Sequence, residues 1–161
     1  MNDNYSTPEN AYDCLTNYKE MMEFLKDKTI WDPFYNDGSC KSLMEKCFPN
    51  SKIIHENKDF FKEIISKQYD VIISNPPFSK KKEIIDILIK NGKPFILLMQ
   101  LDTLSRRYFF KTIEDRMDSF NLIIPKNINS VKFGNEKHKP RFTWAWFCFN
   151  CEFVDQTIIY K

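Results

Sequence analysis

The chain has 161 residues, 42% of them hydrophobic and 16% aromatic, which suits one globular domain with a full core and is too short for two comfortable ones. A formal net charge of +2 is too small to mark a nucleic-acid protein by itself, and no apolar run approaches the length of a membrane span. The five cysteines are an odd set within core-like segments and no leading stretch resembles a signal peptide, so the chain reads as intracellular, cytoplasmic or nuclear, with reduced thiols.

Residues 1–5 read as unstructured. Ser6-Thr7-Pro8-Glu9 has the hydroxyl cap and early proline of a helix start, and the spacing predicts a helix to about residue 25 with Ala11, Leu15, Tyr18, Met22 and Leu25 on one face. A short strand follows over residues 29–32, then a loop over 34–39 and a helix over 41–48 with Leu43, Met44 and Cys47 inward. Residues 52–55 form a second strand, and 59–65 a loop opening into a helical turn. The third strand spans 70–74, and a helix over 80–90 is closed by Asn91-Gly92. The apolar run at 94–99 is the next buried strand, with helical spacing from about 102 to 117. Two strands close the pattern, at 120–124 and 142–149, and residues 153–160 offer one more.

Alternating apolar strands and helices up to residue 117 predict an α/β fold: a mostly parallel sheet with helices on both faces. The last strand pair lacks an intervening helix and predicts an antiparallel C-terminal edge. No repeat, linker or low-complexity block interrupts the chain, so residues 1–161 read as a single domain.

Two loops carry the chemistry. Trp31-Asp32-Pro33-Phe34-Tyr35-Asn36-Asp37-Gly38 falls where the first strand hands over to its helix, the cofactor turn of a doubly wound sheet. An acidic residue at that turn suits a cationic or amino-bearing ligand better than a pyrophosphate, which favours S-adenosylmethionine over a dinucleotide. Ser74-Asn75-Pro76-Pro77-Phe78 ends the third strand. Asn75 offers a carboxamide, two prolines fix the backbone and remove two N–H donors, and Phe78 offers a ring. Such a loop suits a planar amine, and a flipped-out nucleobase is the obvious one.

Charge is distributed unevenly. Lys80-Lys81-Lys82 follows the Asn-Pro-Pro-Phe loop, and Lys126, Lys132, Lys137, His138, Lys139 and Arg141 are opposed only by Glu136. Two basic clusters flanking one mouth, and two separately solvated segments, are both consistent with this pattern. Cys148-x-x-Cys151 has neither a second cysteine pair nor a suitable histidine pair, so no metal site is expected.

With these motifs in place, the chain resembles the methyltransferases that act on adenine or cytosine amino groups in nucleic acids. Their first motif commonly runs Asp-Pro-x-x-Gly-x-Gly, and Asp32-Pro33-Phe34-Tyr35-Asn36-Asp37-Gly38 follows it with Asn36 in place of the first glycine. Asparagine tolerates positive φ better than most residues, so the turn is expected to survive. Thr7-Pro8 resembles the segment that touches the methionine end of the cofactor, and Asp59-Phe60 the pair that holds its adenine, with Glu56 at the ribose hydroxyls. Ser74-Asn75-Pro76-Pro77-Phe78 resembles the catalytic tetrapeptide. The resemblance implies a Rossmann-like methyltransferase sheet, S-adenosylmethionine as cofactor, and catalysis by Asn75, Pro76, Pro77 and Phe78 on the adenine N6 amino group of DNA or RNA.

The resemblance leaves His55, His138 and the cysteines structural or peripheral. Lys80, Lys81, Lys132, Lys137, Lys139 and Arg141, with Phe133, are the expected nucleic-acid contacts. There is no room for a separate target-recognition domain, so specificity is expected from substrate structure or a partner subunit. Similar loops also serve guanine, cytosine and protein-glutamine methylation, and a silent nucleic-acid-binding subunit would retain the same fold.

Overall fold

The computed structural model describes residues 6–125 and 143–152, and the backbone of 158–160. Its strands are β1 (Thr29–Trp31), β2 (Lys52–Ile54), β3 (Val71–Ser74), β4 (Phe95–Gln100), β5 (Phe120–Ile124), β6 (Trp144–Phe149) and β7 (Ile158–Tyr160). They form one sheet in the order β2-β1-β3-β4-β6-β5-β7. β2, β1, β3 and β4 are parallel, β6 runs antiparallel between β4 and β5, and β7 is parallel to β5. The predicted antiparallel pair is therefore present, but it is interior: β6 is flanked on both sides and β7 takes the edge.

Apolar alternation divides the core into two layers. Ile30, Val71, Ile73, Ile96, Leu98 and Trp146 face one way, while Trp31, Ile72, Leu97, Met99 and Phe147 face the other. Both faces are covered, so β3 reads as a continuous Val-Ile-Ile run with no polar residue before Ser74. Each of those three side chains is fully buried and contributes about 1.5–3 kcal/mol of transfer free energy.

Helices α1 (Asp13–Thr16), α2 (Lys19–Leu25) and α3 (Cys40–Cys47) contribute to the first layer, and α4 (Phe60–Glu63), α5 (Lys81–Asn91) and α6 (Arg107–Ile113) to the second. In α5, Ile84, Ile85, Leu88 and Ile89 form the buried stripe, and Gly92 closes the helix at φ 76° with its N–H on the Leu88 carbonyl. The single N-terminal helix expected from spacing is broken into a 3₁₀ turn (Glu9–Ala11), α1 and α2. The break at Asn17 and extended Tyr18 rotates the following turn, so Met21 is buried where Met22 was expected. This segment is tied to β6 by the Trp146 indole N–H, which donates to the Ala11 carbonyl at 2.9 Å. The stretch expected to be helical over 102–117 is a 3₁₀ turn (Leu101–Ser105), α6 and a second 3₁₀ turn (Glu114–Ser119). Among the described residues no helix is long and apolar enough to cross a membrane.

The carboxyl ends of β1, β2 and β3 meet at one buried carboxylate. Asp32, only 3% exposed, accepts from the Ser74 hydroxyl and, at 3.4 Å, the Phe34 N–H through Oδ1. Its Oδ2 lies 3.2 Å from His55 Nδ1, which is also 3.1 Å from the Asp32 carbonyl oxygen. A buried carboxylate without such partners would cost several kcal/mol. Burial disfavours the His55 imidazolium, but the hydrogen bond and charge of Asp32 outweigh it and raise the His55 pKa above 6.5.

A raised folded-state pKa gives stability that is complete below about pH 6.5, the unfolded value, and is lost as pH rises through the higher folded one. Urea midpoints of the wild-type chain are therefore expected to fall across that window, and His55→Gln to flatten the fall. Parallel pH profiles for the two proteins would remove His55 from this role.

Candidate active site

Strand order changes direction between β1 and β3: the chain goes outward from β1 to β2, then returns to lay β3 on the other side of β1. The loops leaving β1 and β3 consequently part, and open sheets bind ligands in the crevice between such loops. A cleft of about 220 Å³ lies here, lined by Asp32, Phe34 and Asn36 from the first loop, Asn75 and Pro77 from the second, and Thr7 from the N-terminal segment.

The first loop is held in shape by its own sequence. Pro33 is buried, Asn36 adopts φ 48° and Gly38 φ 81°. Asn36 thus occupies the positive-φ position expected of it, and its amide donates to the Ser6 hydroxyl at 3.1 Å. Tyr35 stacks on His55 with ring centroids 5.0 Å apart, and a Cβ at Gly38 would meet the Tyr35 hydroxyl at 2.5 Å. Glycine is needed there for both backbone angle and space. Asp37 accepts from the Ser39 N–H at 3.0 Å and the Ser39 hydroxyl at 2.6 Å, which holds its exposed carboxyl below the usual range.

The second loop begins with an anchored residue. Ser74 is buried, pairs with Leu97 of β4, and gives its hydroxyl to Asp32. Asn75 follows directly, half-buried, then buried Pro76 and half-buried Pro77 and Phe78. The same carboxylate that shapes the first loop therefore fixes where the second one starts.

Other expected site residues are placed differently. Pro8 is the half-buried residue before the first 3₁₀ turn and does not line the cleft. Phe60 is 3% exposed, packed behind Phe34 at 5.2 Å and against Trp31 at 5.9 Å, so the ring facing the cleft is that of Phe34. Asp59 caps α4 by accepting from the Phe61 N–H at 3.0 Å. Glu56 is exposed, bonded to Lys67 and 3.4 Å from Lys58, with Lys67 foremost in lowering its pKa. Lys80 lies 3.7 Å from Glu83, and Lys81 turns onto the side chains of Gln100 and Thr103. Lys132, Lys137, Lys139 and Arg141 lie outside the described residues.

Sequence reasoning missed the cleft-lining Ser6, Tyr35, Asp37, Ser39 and Cys40 and gave no role to the Ser74 hydroxyl; His55, expected to be structural or peripheral, is structural, with Asp32 the partner that the sequence did not name. His55 stands at the end of β2, a position whose neighbourhood to β1 is the available signal. Cys40 is not a nucleophile: burial and the Asp32 charge push its thiol up to about 12. Among the described residues no cluster of histidine, cysteine and carboxylate could hold a metal. The lining includes two carboxylates, three hydroxyl side chains besides tyrosine, and aromatic rings, with no lysine or arginine among the described residues. That donor set fits a ligand carrying positive charge, hydroxyls and a flat ring, as S-adenosylmethionine does, and would repel a pyrophosphate.

Comparison with known proteins bears on the family and the fold. Type II methyltransferase M.MpnI of Mycoplasma pneumoniae is 24% identical over 100 residues, which cover 52% of this chain and 31% of that protein. The chain thus spans about a third of the curated relative's length. A Listeria monocytogenes structure described as a class I S-adenosylmethionine-dependent methyltransferase superposes with a TM-score of 0.50 at 11% identity, covering 99% of this chain and 66% of that one, and shares the fold. Precorrin-6y C5,15-methyltransferase from Geobacter metallireducens gives a TM-score of 0.45 at 14% identity, with 92% and 95% covered. The profile of the adenine-specific methyltransferase EcoRI family matches residues 37–140, nearly two thirds of the sequence, and the chain belongs to that family.

Proposed function

We propose that the chain is an S-adenosylmethionine-dependent methyltransferase that modifies the N6 amino group of adenine in DNA or RNA, with the base flipped into the Asn75–Phe78 loop. The observation that carries this reading is the shared cleft: Asn75 and Pro77 line it opposite the Asp32–Asn36 turn. Asp32, Thr7 and Phe34 would hold the cofactor, with Pro33 and Gly38 shaping the turn. Pro8, Glu56, Asp59 and Phe60 act around it, Phe60 by supporting Phe34 from behind.

S-adenosylmethionine supplies an electrophilic methyl group when bound. The rest of the chemistry belongs to the chain. An aryl amine is a weak nucleophile because its lone pair is delocalised into the ring. Asn75 Oδ1 and the Pro76 carbonyl oxygen accept from the two N–H groups of the amine, favouring a pyramidal nitrogen whose lone pair points into the cleft. Prolines at 76 and 77 hold those acceptors in place without competing donors. Phe78 stacks on the base, worth about 1–3 kcal/mol. Asn75 is not a base, Cys40 stays a thiol near neutrality, and both Asp32 oxygens already accept from protein donors. Catalysis is therefore positioning and electrostatics, and the proton leaves to water after transfer. Selection of the site falls to substrate structure or a partner subunit, with Lys80, Lys132, Lys137, Lys139 and Arg141 contributing contacts.

Incubation with purified DNA, RNA and protein substrates followed by nucleoside and peptide mass spectrometry tests the reading, with N6-methyladenine expected. Label only on peptide glutamine, or only on guanine or cytosine, would overturn the adenine assignment. Asn75→Ala is expected to lower kcat by about 100-fold or more while calorimetric cofactor affinity changes only a few-fold; equal loss of both would show that Asn75 does not orient the amine. Gly38→Ala is expected to do the reverse. The strained backbone and the clash with Tyr35 should weaken cofactor binding at least tenfold, and an unchanged Kd would show that the turn does not contact the cofactor.

A further inference from the structure

Several cations near the carboxyl end of the sheet are already committed. Lys58 and Lys67 share Glu56 and Glu63, Lys80 lies beside Glu83, Arg106 bonds Asp102 at 2.6 Å, and Lys81 is turned inward. Lys82 of α5 and Arg107 and Lys111 of α6 differ. They line one groove of about 400 Å³ between the two helices, all three are exposed, and none has an ion-pair partner among the described residues.

The groove is built, and its charge is uncompensated. Arg107 and Lys111 are four residues apart and so project from the same face of α6. Asp86 is the carboxylate among the lining residues, and it accepts from the Thr112 hydroxyl at 2.8 Å, which pins α5 to α6. Three cations thus stand against one carboxylate. Convergent cations of this kind suit an oxyanion with several acceptor oxygens.

Position gives this site a role. α5 begins directly beyond the Asn75–Phe78 loop, Lys82 being four residues after Phe78, and α6 begins beyond the carboxyl end of β4. The groove therefore opens at the end of the sheet that carries the cleft. We propose that Lys82, Arg107 and Lys111 hold backbone phosphates of the nucleic acid whose base enters the cleft. This rests on the nucleic-acid reading above and replaces inward-turned Lys81 as the anchor beside the catalytic loop. Contacts of this kind set register and orientation without reading sequence.

Fluorescence anisotropy of a labelled DNA duplex and a labelled single-stranded RNA, titrated with the full chain between about 50 and 200 mM KCl, tests the site. The triple variant Lys82→Gln/Arg107→Gln/Lys111→Gln is expected to bind at least tenfold more weakly at low salt, with the slope of log K against log[KCl] shallower by about 1–3. Asp86→Asn, which keeps an acceptor for Thr112, should tighten binding several-fold. A control triple Lys19→Gln/Lys26→Gln/Lys52→Gln should keep the wild-type slope. Calorimetry with S-adenosylmethionine should give wild-type affinity for every variant, which also checks that each is folded. If the wild-type chain binds nucleic acid and the groove variants match it, the groove is overturned while the amine site stands. If the wild-type chain takes up cofactor but shows no salt-dependent affinity for either probe, the groove and the nucleic-acid substrate both fall.

Discussion

A single buried carboxylate organises the functional end of this protein. Asp32 leaves β1 and receives the hydroxyl of Ser74 from β3 and the imidazole of His55 from beyond β2. Parallel strands are joined only by their ladders and by the helices that cover them, so the loops at their ends need separate restraint. Here the restraint is electrostatic, and the carboxylate that provides it is almost wholly buried. Because Ser74 precedes Asn75, the bond that satisfies Asp32 also sets the spacing between the turn that would hold a methyl donor and the loop that would hold its acceptor.

The rest of the site extends this constraint. Asn36 and Gly38 carry the chain back through positive φ, Tyr35 covers both Gly38 and His55, and Phe60 backs the Phe34 ring. Rigidity of this kind would suit the proposed methyl transfer, which leaves little acid–base chemistry for the protein to perform. An amine and a sulfonium methyl need alignment more than they need a strong base. The site accordingly keeps its cysteine protonated and its central carboxylate occupied.

Several features were legible without tertiary structure because their causes are local. The Val71–Ile73 run announced a strand covered on both faces, Asn91-Gly92 a helix end, and Asn36 a tolerable substitute for glycine. Other features escaped because they are decided by packing. Spacing placed Met22 on the inner face of one long helix, yet the break at Asn17 and Tyr18, needed to seat both halves against β6, put Met21 there instead. A lysine run looked uniformly basic, but one member points at Gln100 and Thr103, a second lies beside Glu83, and the third reaches the groove with α6.

By itself the sequence determined the alternation of strands and helices, the order of the two chemical loops and the residue types they carry. These follow from hydrophobic period and turn chemistry, which act over a few residues. Tertiary structure alone decided that β6 inserts between β4 and β5, that Phe34 rather than Phe60 faces the cleft, and that His55 and Ser74 share Asp32. Those outcomes depend on residues 23 and 42 positions from Asp32 in the chain, and only the pairing of three strand ends brings them within hydrogen-bond reach.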